Sequence, residues 1–214
     1  MALFRRGQRK PAGPARQRWV VLDVETSGLD PARDRLLAVA AIGMEVDWTR
    51  RRLALRPGDS FEAVLRQPPA AADKPNILLH GIGIAAQQEG RDPADALAGL
   101  HLFVGEAPLL AFHAAFDREL VTRYIERYLV APVPNAWLDI EHLCAALHAG
   151  VAARSLDEWL AHFGIECAAR HEAAADVLAE AELLLRLWPR IARECGSWRD
   201  VQRLAGAQDW LRRR

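Results

Sequence analysis

Asp23 and Glu25 stand two residues apart at the end of an apolar run, Val20-Val21-Leu22-Asp23-Val24-Glu25-Thr26-Ser27-Gly28-Leu29-Asp30. Successive side chains of a strand point to opposite faces, so the two carboxylates share one face and Val24 takes the other. Adjacent carboxylates on a core strand repel each other, and a cation between them is the simplest remedy. Two more acids, Asp117 and Asp176, lie among apolar residues, where an uncompensated charge is costly. Four such acids imply a shared counter-ion. Hard oxygen donors without a histidine cluster favour Mg2+ or Mn2+ over Zn2+.

The elements that must position these acids can be read from the spacing. Residues 35–46 form a long apolar run and residues 51–56 alternate, so with the opening strand they predict a three-strand meander. Residues 57–80, with Pro57, Pro68, Pro69 and Pro75, read as a long loop. Asp92-Pro93 caps and opens a helix that ends at Gly105. A short strand over 109–112 then feeds a helix over 114–129, where Phe116, Leu120, Tyr124 and Tyr128 recur at steps of four and Asp117 flanks the stripe.

Residues 136–140 predict another short strand, followed by a helix ending at Gly150. Ser155 to Glu158 is a capping box for a helix that stops at Gly164. A long helix is expected over 171–188, kinked or ended by Pro189, with Asp176 beside its apolar face. Ser197 opens a last amphipathic helix carrying Val201, Leu204 and Leu211, which reads equally as a tail for a partner. The order predicts an α/β fold, a mixed five-strand sheet flanked by helices. Residues 1–18, rich in arginine, read as a basic disordered arm, 19–192 as the folded domain and 193–214 as a C-terminal helical extension.

Composition narrows the function. With a net charge of zero, the chain is unsuited to coating nucleic acid through bulk electrostatics. Lys10 and Lys74 are the only lysines, so phosphate would be met locally by arginine or backbone amides. Cys144, Cys167 and Cys195 are scattered and read as reduced thiols. No uncharged apolar run approaches the length of a membrane span and no secretory signal opens the chain, so no membrane partner and a cytoplasmic location are expected.

D-x-E-T-x-G-L directly after an apolar strand resembles the first motif of the exonuclease superfamily defined by four acids and a histidine, DEDDh. The closest branch is that of the proofreading epsilon subunit of bacterial DNA polymerase III. The second motif, H-N-A-x-F-D, is matched to His113-Ala114-Ala115-Phe116-Asp117, with Ala114 in the place of the asparagine, and the third, H-x-x-x-x-D, to His171 through Asp176.

The resemblance implies the ribonuclease H-like arrangement of the sheet. It implies that Asp23, Glu25, Asp117 and Asp176 hold two divalent metal ions, with His171 as the general base. The reaction is then 3′–5′ exonucleolytic hydrolysis of a nucleic-acid 3′ end, releasing nucleoside 5′-monophosphates. Thr26, Gly28 and Leu29, Leu79 and His80 of the H-G-I element, and Phe116 would border the terminal nucleotide. Thr26, where oligoribonucleases carry methionine, favours single-stranded DNA over RNA. An RNA or oligoribonucleotide trimmer, or a polymerase-associated binding subunit, are the alternative readings, and a polymerase is the expected protein partner.

Overall fold

The computed structural model describes residues 14–68 and 74–212. Arg5, Arg6, Arg9 and Lys10 of the expected arm lie outside the described residues. Strand β1 (Arg16–Thr26) is followed by β2 (Leu36–Asp47) and β3 (Arg52–Val64), then by helices α1 (Lys74–His80), α2 (Ile84–Glu89) and α3 (Pro93–Val104). Strand β4 (Leu109–Ala111), α4 (Ala114–Leu129), β5 (Trp137–Asp139), α5 (Ile140–Leu147), α6 (Leu156–Phe163), α7 (Ala173–Glu194) and α8 (Trp198–Arg212) complete it.

The strands form one five-stranded sheet in the order β3-β2-β1-β4-β5. The β1–β2 and β2–β3 pairs are antiparallel, whereas β1–β4 and β4–β5 are parallel. This is the mixed ribonuclease H-like sheet expected from the sequence. β1 lies at its centre and is apolar on both faces. Trp19 and Val21 join Ala40, Ile42 and Met44 under α5, α6, α7 and α8, while Val20, Leu22 and Val24 join Val39 and Ala41 under α3 and α4. Each fully buried aliphatic side chain of this kind contributes about 1.5–3 kcal/mol relative to exposure.

Register then decides where the acids go. Asp23 pairs with Ala40 and Glu25 with Ala38 on β2, so the carboxylates stand on the α7 face beside side chains too small to cover them. A bulge between Glu25 and Thr26 ends the regular pairing at that point.

Four sequence expectations are corrected. Arg16 and Arg18 belong to β1 and not to a disordered arm. Arg18 donates from Nε and Nη2 to the Asp59 carboxylate at 2.7 and 2.9 Å and stacks over Phe103, contacts that offset its ordering. Residues 57–80 are not one loop, because β3 carries on through Pro57 to Val64 across a register shift at Ile42/Gly43, and α1 follows. A bulge is where a strand tolerates the missing N–H of proline.

Of the two outcomes expected at Pro189, the end does not occur: helix α7 continues to Glu194, held by the buried Leu187, Trp188, Ile191 and Ala192 on either side of the proline. Finally, no boundary falls at residue 193. Cys195, Val201 and Ala205 are buried in the same core as β1, and Trp198 meets Trp19 with ring centroids 5.1 Å apart. With Val201 and Ala205 buried and Leu204 packed against them, the first half of α8 is part of the core.

Candidate active site

Three carboxylates converge. Asp23 and Glu25 come from the end of β1 and Asp176 from the first turn of α7, and one ligand oxygen from each lies within 4.8 Å of the others. The local cause is sequence geometry: the strand alternation puts Asp23 and Glu25 on the α7 face, and the alanines at the start of α7 and on β2 let helix and sheet approach. Asp117, in the first turn of α4, is buried beside this group, although the three-way cluster forms without it.

The electrostatics are those of acids held apart from water and against each other. Burial raises Glu25 to about 9, with the charges of Asp23 and Asp176 adding to the effect. Burial raises Asp117 to about 8, reinforced by Asp139 and Glu25. Asp23 is pushed well above the usual carboxylate range by burial, then by Asp117 and Asp176. An all-oxygen donor set in which burial and mutual repulsion disfavour ionisation fits a divalent metal ion, which would restore the charged forms.

His171 directly precedes the N-cap of α7 with a left-handed backbone, φ 64°, and its N–H donates to Asp176 Oδ2 at 3.1 Å. Its half-buried imidazole makes no hydrogen bond among the described residues. A non-glycine residue in this region is uncommon and requires support from its surroundings. His113 does the same at the start of α4, with φ 61° and its N–H donating to Asp139 Oδ1 at 3.1 Å.

That conformation suits asparagine, and counting H-N-A-x-F-D back from Asp117 puts His113 at the asparagine and Phe112 at the histidine. The earlier assignment of Ala114 to that place is therefore corrected.

The proposed substrate contacts divide. Leu29 is 93% exposed and Leu79 54%, free to meet a ligand, and Asn76 Nδ2 ties α1 to the Thr26 carbonyl at 2.8 Å. Phe116 is half-buried against the core on the α4 face. Thr26 turns its hydroxyl inward, donating to the Gly28 carbonyl at 2.6 Å. Gly28 is needed for an internal reason: a Cβ there would stand 2.5 Å from Asp34 Oδ2, and that carboxylate is already held by Ser27 Oγ and the Asp30 N–H. His80 is buried, and its Nδ1 accepts from the Ile82 N–H at 3.0 Å, so one ring nitrogen shapes the α1–α2 turn.

Sequence reasoning missed three charged residues. Glu180, one turn after Asp176 and 1% exposed, accepts from the Phe112 N–H at 3.2 Å and is raised by burial and by Asp23, Asp117 and Asp176. Its position four residues after Asp176 was the available signal. Asp139 caps α5 through the Glu141 N–H at 2.9 Å, as its place between strand and helix suggested. Arg170 forms ion pairs with Asp157 and Asp176, and nothing but its adjacency to His171 pointed there.

The DNA polymerase III subunit epsilon-like protein of Rhodobacter capsulatus is 32% identical over 179 residues, covering 81% of this chain and 24% of that protein. DNA polymerase III PolC-type of Oceanobacillus iheyensis is 27% identical, covering 82% of this chain and 12% of that protein, so the chain spans a minor part of both relatives. Among solved structures, zinc-bound E. coli exonuclease I in complex with single-stranded DNA aligns with a TM-score of 0.65 at 21% identity, over 83% of this chain and 43% of that one. This last likeness concerns the fold. Residues 20–184 match the exonuclease family, and the chain belongs to the DEDD-type 3′–5′ exonucleases.

Proposed function

We propose that this chain hydrolyses the last phosphodiester bond at the 3′ end of single-stranded DNA, releasing nucleoside 5′-monophosphates. The observation that carries this reading is the convergence of Asp23, Glu25 and Asp176 within 4.8 Å beside the buried Asp117, with His171 fastened to Asp176.

Asp23, Glu25, Asp117 and Asp176 would hold two Mg2+ or Mn2+ ions. Such ions, when bound, supply charge stabilisation to the attacking and leaving oxygens of an in-line displacement. His171 takes the proton of the attacking water, for which an imidazole with an unperturbed pKa of about 6.5 is suited. The bond from its main-chain N–H to Asp176 Oδ2 supports this reading by tying the residue to one of the proposed metal ligands. Leu29 and Leu79 offer apolar surface to the terminal bases, and Phe116 lies near the base or sugar. Thr26 and Gly28 act one step back, by shaping the turn that presents Leu29.

Single-stranded DNA is the preferred substrate on the strength of Thr26 and of the single-stranded DNA held by the similar exonuclease I. The epsilon-like relative suggests a polymerase as the partner. Among the described residues, no helix is long and apolar enough to cross a membrane.

The test is a time course on 5′-labelled single-stranded DNA and matched RNA with Mg2+, Mn2+ or EDTA, comparing the wild type with Asp23→Ala and His171→Ala. A ladder shortening from the 3′ end, abolished by EDTA and by Asp23→Ala, is expected, faster on DNA. Equal inertness of all three proteins on both polymers would overturn the enzymatic reading. Faster loss of RNA would transfer the substrate to the oligoribonucleotide class.

A further inference from the structure

Arg170 lies in the segment between α6 and α7, directly before His171, and its guanidinium bridges the two helices. Nε is paired with Asp157 in the first turn of α6, and Nη1 lies against Asp176 Oδ1 in the first turn of α7. The two partners differ in setting: the Asp157 side chain is 63% exposed at the rim, the Asp176 side chain 7% exposed inside the carboxylate group.

Asp176 is heavily committed. Its Oδ2 accepts the His171 N–H at 3.1 Å, and its Oδ1 receives both the Arg170 cation and the Cys167 thiol, whose Sγ is 3.5 Å away. A divalent ion ligated by the same oxygen would stand about 2.0–2.5 Å from it. Two cations on one carboxylate oxygen repel strongly in a site with little water. A guanidinium cannot release a proton to relieve that repulsion. When metal binds, Arg170 must therefore leave Asp176, and the Asp157 pair keeps it at the rim. The next anion within the same site, on the reading given above, is the scissile phosphate, whose non-bridging oxygens match the planar fork of arginine.

We propose that Arg170 is a two-position catalytic residue: it neutralises Asp176 when no metal is bound, and in the reactive complex it swings about its Asp157 anchor onto the scissile phosphate. The inference rests on the exonuclease reading, and it predicts effects of opposite sign on metal binding and on catalysis. A guanidinium that only clamps α6 to α7 would not produce that combination.

The experiment titrates Mn2+ calorimetrically into the full chain without DNA, for wild type, Arg170→Gln and Arg170→Lys, and measures kcat and KM of each on a 5′-labelled oligodeoxynucleotide. Arg170→Gln is expected to bind Mn2+ about tenfold more tightly, because a competing cation is gone. Its kcat is expected to fall about 100-fold, the usual cost of losing one donor to a developing charge, with KM changed far less. Arg170→Lys keeps the charge without the fork and should hold the wild-type Mn2+ affinity while recovering part of kcat.

Unchanged or weaker Mn2+ binding by Arg170→Gln would sink the competition, and an unchanged kcat would sink the phosphate contact. Should Arg170→Gln not fold, Arg170→Lys decides: a kcat equal to wild type would overturn the need for a fork. Failure of the exonuclease reading looks different, with an inert wild type and no Mn2+ heat lost in Asp23→Ala.

Discussion

The chain starts two helices in the same way and wires them oppositely. At α4 and at α7 a histidine with a left-handed backbone, His113 or His171, is followed within five residues by an acid that ends up 4 or 5% exposed, Asp117 or Asp176. At the α4 start the surroundings are acidic: Asp139 takes the His113 N–H, and burial with the charges of Asp139 and Glu25 lifts Asp117 to about 8. At the α7 start the acid itself takes the histidine N–H and carries the Arg170 cation. The α7 half of the site thus sets a guanidinium against its acid, whereas the charges that raise Asp117 are those of other carboxylates, Asp139 and Glu25. A left-handed helix start aims a first-turn carboxylate inward, but its neighbours decide whether that carboxylate waits for a cation or already has one.

The most severe way to break the comparison is to neutralise each acid. Asp117→Asn and Asp176→Asn are both expected to lower kcat by at least about 10³-fold on a labelled oligonucleotide, since each removes a proposed metal ligand. Thermal melts in EDTA should then separate them. Asp117→Asn removes a carboxylate that burial keeps protonated up to about pH 8, so in melts at pH 9 it should raise Tm, whereas Asp176→Asn strands the Arg170 cation and should lower it. Shifts of the same sign would show that the two helix starts are electrostatically alike.

The next contrast is between the histidines. His171→Ala is expected to lower kcat by about 10²- to 10⁴-fold, the range for a general base. His113→Ala should cost only a few-fold, because His113 is exposed and acts through its main-chain N–H. Equal losses would assign the exposed imidazole a chemical role.

The smallest effect concerns pH. Glu25 and Asp117 are raised to about 9 and about 8, so without metal the folded chain holds protons that the unfolded chain gives up near pH 4. The folded state then binds more protons between these limits, and stability falls as pH rises. Their contribution is complete below about pH 4 and is lost progressively up to pH 8 to 9. In EDTA, Tm should drop by about 5 °C or more from pH 6 to pH 9, and added Mn2+ should recover it most at the alkaline end. A flat profile in EDTA would mean that these carboxylates are already compensated inside the fold.

Most of the site was legible because its information is local. The D-x-E alternation, the capping box at Ser155, with Glu158 Oε2 accepting the Ser155 N–H at 3.0 Å, and the helix carrying Asp176 each depend on residues a few positions apart. Where the reading failed, distant contacts had overruled local signals. Pro57 and Pro189 suggested breaks, but pairing with β2 and burial beside Trp188 carried β3 and α7 through them. The bond from the Ile82 N–H to His80 Nδ1 was likewise invisible to composition.

The sequence by itself determined the secondary structure around the four acids, the face that Asp23 and Glu25 share, and the family, because period and motif order are one-dimensional. Only the tertiary structure decided that the three-way cluster forms from Asp23, Glu25 and Asp176 with Asp117 alongside, and that the buried Glu180 and the half-buried Asp139 add further carboxylates nearby. It also decided that Arg170 reaches Asp176 and that α8 closes over Trp19. The physical reason is the same in each case. Repulsion, ion pairing and burial depend on distances between residues far apart in the chain, and those distances exist only once the sheet and helices have packed.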